Sequence, residues 1–294
     1  MFLLLVVVLV WGFSWYAITL QLGVVHPMVS ISWRFFIAGV VLLVWLKVKG
    51  QFITPRIADA PRILALSVLL FCFNFSCFYF ATGFVTSGLI SVVFAAAVFI
   101  TVANQWVWRR IVPEKKTIVG ALFGLSGITL LFAPSIVENL SDGNLNTLLG
   151  LALSFLGTWF FSIGNLVSAS LSRTTHLPSA IACAMMIGAA TSAVIALGLG
   201  QSLSVPTDAT YLLALAYLAI GASVIGFVAY LTLVANQGAA KAGYATVLFP
   251  IIALAVSTLM EGYQWSLTAA VGVTLATFGA FIVFSPQPNF LTSK

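Results

Sequence analysis

The chain has 294 residues, of which 62% are apolar and only 6% charged, with a net charge of +6. A soluble domain carries roughly a quarter charged residues, so a water-soluble fold is excluded, and the apolar runs recur along the whole chain with no polar interval of domain size. The cations sit in short breaks between those runs rather than on one face, which argues for membrane topology and against a nucleic-acid partner.

The first run, about 2–20, has no charged leader and no small-residue cleavage site, so it reads as a spanning helix rather than a signal peptide. A helix needs about twenty residues to cross roughly 30 Å of hydrocarbon. Cutting at charges, prolines and glycine clusters gives ten spans: 2–21, 27–46, 63–82, 84–108, 116–133, 147–170, 177–199, 209–235, 240–260 and 265–284. With the N-terminus in the cytoplasm, eleven of the twelve cations fall inside; only Arg34, within the second span, breaks the pattern. Both termini are therefore expected to be cytoplasmic. The very short loops suggest a bacterial inner membrane. Cys72, Cys77 and Cys183 all lie in apolar runs without a histidine nearby and read as buried small hydrophobes.

Order is preserved between the two halves. Gly120, Gly127 and Phe132 match Gly272, Gly279 and Phe284 at one offset; Trp11 and Ser14 match Trp159 and Ser162, and Tyr79 matches Tyr230. A duplicated unit of five spans enters the membrane from opposite sides in its two copies, which gives an inverted repeat. The expected fold is all-α, with ten transmembrane helices in two inverted five-helix repeats around a central cavity. The first repeat covers 1–133, an outer connecting loop 134–146 and the second repeat 147–294. Such repeats favour alternating access.

These residues resemble the drug/metabolite transporter superfamily, in particular its ten-helix EamA-type exporters. The resemblance rests on Trp11-Gly12-Phe13-Ser14, Arg34-Phe35-Phe36-Ile37-Ala38, Tyr79 before Thr86-Ser87-Gly88, and Phe249-Pro250 followed by Glu261 and Gly272 through Gly279. Ala95-Ala96-Ala97 stands where the fourth span of such proteins often carries a proline. The wealth of aromatic residues with no intramembrane acid is most similar to the aromatic and neutral amino-acid exporters of the YddG kind. The resemblance implies a cavity lined by spans 1, 3, 4, 6, 8 and 9. It also implies a packing or dimer surface on spans 5 and 10, which makes a second copy of the chain a candidate partner beside the lipid bilayer and a small-molecule substrate.

Arg34 is expected to anchor a substrate carboxylate or to act in a gate; the competing reading is a snorkelling arginine, or one bound to backbone carbonyls. Pro250 is expected to bend the ninth span. Asn74, Tyr79, Asn104, Asn165 and Tyr230 place hydrogen-bonding groups at membrane depth, either as cavity lining or as helix-to-helix bonds. Ser14 and Ser162 join them as candidate binding residues. Trp11, Trp15, Trp159 and Tyr244 are the candidate lining aromatics, with Trp11 and Trp159 preferred because mid-span tryptophans are not interface anchors. Glycines at 120 and 124, and at 221 and 226, read as close-packing surfaces.

None of the six acids lies mid-span, so uncoupled transport is expected; Glu261 is assigned to capping or pairing at a helix end. No metal-binding or catalytic constellation is present in the sequence, so no cofactor is expected and an enzyme is disfavoured. A channel fits a single buried cation poorly. A drug, purine or nucleotide-sugar carrier with proton coupling is the alternative within the superfamily; nucleotide-sugars would require several buried cations.

Overall fold

The computed structural model describes the backbone of residues 2–141 and 145–284 and, within these, the side chains outside 109, 135–136, 138–141, 231, 234–244, 247 and 284. The described residues form helices and short connections without a strand. Helix α1 (Phe2–Thr19) is followed by α2 (Pro27–Val48), which starts where Pro27 fixes the first turn and the His26 ring accepts a hydrogen bond from Met28 N at 3.3 Å. The third span consists of α3 (Ala60–Val68), a π-helical turn at Leu69–Phe73 and α4 (Asn74–Ala81). The fourth consists of α5 (Ser87–Phe94) and α6 (Ala97–Arg109), interrupted at Ala95 and Ala96. This span therefore breaks without the proline that the sequence lacks.

Helix α7 (Lys115–Ser141) runs on through Pro134, which corrects the expected loop at 134–146. A proline removes one rung of the hydrogen-bond ladder and bends a helix, and the residues after it can resume the turn. Then come α8 (Asn146–Leu171), α9 (Leu177–Gly198), α10 (Ala209–Ala216), a second π-helical turn at Tyr217–Ile225, α11 (Gly226–Met260) and α12 (Leu267–Phe284). Eight helical segments among the described residues are long and apolar enough to cross a membrane, and two shorter apolar ones, Leu248–Met260 and Leu267–Val283, accompany them. Their outward faces carry large apolar side chains such as Leu5, Val44, Leu122 and Leu213, which suits lipid and not water.

The sequence divides 226–260 into two spans with a break near 236–239, whereas the backbone is helical throughout. It is nonetheless not a straight rod. Trp11 touches Phe227 and Tyr230 at ring-centroid distances of 5.6 and 5.2 Å and also Phe249 at 6.2 Å. A straight helix would hold residues 227 and 249 about 33 Å apart. The run therefore doubles back between Tyr230 and Phe249, and both arms lie against α1.

The helices pair in a regular way. Helix α1 packs against both arms of α11, as α8 packs against α4 and against α5 and α6; α2 packs against α9, α5 against α11 and α7 against α12. Exchanging the first half with the second maps these pairings onto themselves. Local features follow the same exchange: α2 and α9 each have 22 residues, each opens after a histidine, and each closes on a positive-φ glycine followed by glutamine, Gly50-Gln51 and Gly200-Gln201. The two π-helical turns also fall at matching places.

Glycine decides how closely α7 and α12 approach. A methyl group on Gly120 would lie 2.5 Å from the Gly279 carbonyl oxygen, and one on Gly272 2.7 Å from that of Gly127. The glycine faces of these spans thus meet each other within the chain, which is the packing alternative of the expected packing or dimer surface. Backbone contact consumes the small-residue stripe. At one end of the bundle Glu261, just past α11, accepts hydrogen bonds from Ser87 N at 3.1 Å and Ser87 Oγ at 2.5 Å, so it caps the neighbouring α5. Asp59 binds Arg62 at 3.0 Å and Thr174 at 2.9 Å, which fastens the start of the third span to the turn after α8.

Candidate functional site

A cavity of about 60 Å3, room for a few water molecules, lies where α1, the two π-helical turns, α4, α5 and α11 meet. Its walls are mostly rings. Trp15 packs edge-on against Phe78 at 5.0 Å, and lies 5.5 Å from Phe94 and 6.2 Å from Phe249. Trp11, one turn earlier on the same face of α1, donates from Nε1 to the Ala222 carbonyl at 3.1 Å, within the second π-helical turn. That approach needs Gly226: a methyl group there would sit 2.5 Å from the indole nitrogen. The bland reading of Gly226 as a packing glycine is thus right, and what it packs is the candidate site.

Few polar groups enter this apolar space. Asn74 donates to the Gly157 carbonyl at 2.8 Å and so bridges to α8 while lining the cavity. Ser14 donates to the Trp11 carbonyl at 2.8 Å, one turn back in its own helix. Arg34 is 3% exposed and lines the cavity as its one charged side chain. Its Nε donates to Ser223 Oγ at 3.1 Å, and its guanidinium carbon lies 4.4 Å from the Phe75 ring centroid and 5.2 Å from that of Phe35. Among the described residues Arg34 Nη1 has no hydrogen-bond partner. Holding an unpaired guanidinium at this depth costs several kcal/mol, of which stacking on an aromatic face returns about 2 kcal/mol or less. Its burial argues against snorkelling, and among the described residues no backbone carbonyl accepts from it.

Other expected residues are placed differently. Tyr79 is 1% exposed, directs its hydroxyl to Gln21 Oε1 at 2.8 Å and stands behind Arg34 rather than on the cavity wall. Tyr230 is half-buried against Trp11. Ser162 accepts from Asn104 Nδ2 at 2.8 Å between α6 and α8, which is the helix-to-helix alternative. Asn165 is half-buried outside this cavity's wall. Trp159 is a correction: it is 39% exposed and packs against Phe160 at the periphery, because the face of α8 turned inward is the i, i+4 series Ser154, Thr158 and Ser162. Pro250 is buried within α11, and the Tyr244 side chain lies outside the described residues. Sequence reasoning missed Gln21, Phe75 and Ser223. Gln21 alone carried a signal, as an amide at the end of an apolar run.

The family model for EamA-like transporters matches residues 1–133 and 148–285, nearly the whole chain. The chain belongs to the EamA-like transporter family. This EamA-family membrane transporter is 23% identical over 303 residues to the protein PagO of Salmonella typhimurium, with 99% of this chain and 95% of PagO covered. It is 24% identical over 288 residues to the inner membrane transporter YedA of Escherichia coli strain K12, with 95% of this chain and 90% of YedA covered. A crystal structure 19% identical to it shares its fold with a TM-score of 0.66, over 96% of this chain and 95% of that one.

Proposed function

We propose that this transporter exports amino acids or similar small metabolites across a bacterial inner membrane by alternating access, driven by the substrate's own gradient. The observation that carries this reading is the cavity itself: an aromatic chamber, closed down to a few waters, at the crossing of helices from both halves of the chain. Ten spans in two inverted five-helix repeats, 1–133 and 147–294, with both termini cytoplasmic, account for the exchange symmetry of the helix pairings and for the two matched segments of the family model. The inner membrane is supported by the name of the relative YedA.

Trp11, Ser14 and Asn74 form the binding wall with Tyr230 packed behind Trp11, Arg34 is the anchor or gate, and Tyr79 supports Arg34 from behind. Trp159, Ser162 and Asn165 act through helix packing in this conformation. Pro250 and Tyr244 belong to the returning arm of α11, which must move for the cavity to open. Uncoupled transport fits the positions of Asp59, Glu114, Asp208 and Glu261 at helix ends.

Uptake of a labelled amino-acid mixture into proteoliposomes without an imposed ion gradient tests this. Saturable uptake that Trp11→Ala reduces is the expected result. Uptake that begins only when a pH gradient is imposed overturns the uncoupled mechanism, and no uptake under either condition overturns the amino-acid cargo.

A further inference from the structure

The surroundings of Arg34 settle more than its presence. Ser223 spends its own proton on the Leu218 carbonyl at 2.9 Å, and Tyr79 spends its proton on Gln21 at 2.8 Å. Ser223 Oγ therefore meets the guanidinium as an acceptor and holds Nε as a donor of fixed orientation. Phe75 covers one face at 4.4 Å. Nη1 is buried and without a partner among the described residues, on a side chain that lines the cavity. Gln21 Nε2, just beyond Tyr79, is a second buried donor in the same condition. Among the described residues no aspartate or glutamate lines the cavity.

We infer that Arg34 binds the carboxylate of the cargo, so that the substrates are small molecules with one carboxylate on an apolar or aromatic body, and an ammonium group is dispensable. This rests on the cavity being the transport site, and it narrows the substrate from metabolites in general to monocarboxylates, of which amino acids are one subset. The planar fork of a guanidinium matches a carboxylate. The ring walls match the body. For an ammonium the cavity supplies ring faces and no counter-charge, which makes that group secondary to recognition.

Equilibrium binding to the purified full chain in lipid nanodiscs, read by titration calorimetry, separates these terms without requiring transport. The probes are 3-phenylpropionate, phenylalanine, 3-phenylpropionamide and phenethylamine, which share one body. The expected order places the acid and the amino acid at least about tenfold tighter than the amide and the amine, as the loss of a charged hydrogen bond implies. Arg34→Gln is expected to erase the difference between acid and amide while leaving the amide where it was. Phenethylamine or the amide binding as tightly as the acid overturns the inference on the unmodified protein, whatever the variant does. Selective acid binding in a chain that moves no amino acid keeps the inference and removes the amino-acid reading. Amino-acid transport with no preference for the acid does the reverse.

Discussion

Two regions of this transporter are built from equally apolar helices on opposite principles. Where α7 meets α12, glycines bring backbone onto backbone, and a single added carbon would lie 2.5 Å from a carbonyl oxygen. Where α1 crosses α11, α4 and α5, the contact is made by rings at 5.0 to 6.2 Å around a cavity. Backbone contact has one arrangement and no slack, whereas rings can change rotamer and re-pack. The first region is a close-packed clamp; the second encloses space. In water the same glycine stripe would add little, but in lipid close packing is a main source of helix association.

The comparison breaks most severely at the clamp. Gly127→Leu is expected to abolish the folded monomer, because its side chain would displace Gly272 and Ala276 backbone; size-exclusion chromatography in detergent reads this directly. Next comes the aromatic wall. Trp11→Ala removes contacts to three rings and the bond to Ala222, and should lower stability by about 3–5 kcal/mol and uptake by at least about tenfold, measured by thermal shift and proteoliposome flux. Glu261→Gln weakens the charged cap on α5 by about 1–2 kcal/mol, and Ser87→Ala should add little on top of it, which a double-mutant cycle in thermal unfolding would show. Smallest is Trp159→Ala, a lipid-facing change expected to cost about 1 kcal/mol or less and to leave uptake within about twofold of wild type. A large loss of uptake there would move the site from α1 to α8.

Much of this was legible in the residues. The spans could be drawn because lipid tolerates no irregular backbone, so apolar length alone marks a helix. Trp11, Ser14, Arg34 and Asn74 could be picked because each is anomalous for its depth. Trp159 looked equivalent to Trp11 by repeat position, yet a mid-span tryptophan has no address until the rotation of its helix is known. Ser162 and Asn104 likewise carried the right chemistry for a cavity and spend it on each other at 2.8 Å. The break in the fourth span came without proline, and the proline at 134 did not end its helix.

The sequence by itself determined that the chain lives in a membrane, roughly where it crosses, and that Arg34 is the cation set away from the ends of those crossings. These follow from composition and order, which act locally. Only the tertiary structure decided which face of each helix meets which partner: that the glycines of α7 meet those of α12, that Ser223 turns as an acceptor toward Arg34, and that Phe75 lies beneath it. The reason is rotational. In a chain apolar on nearly every side, amphipathic periodicity is too weak to say which way a helix faces, and packing must choose.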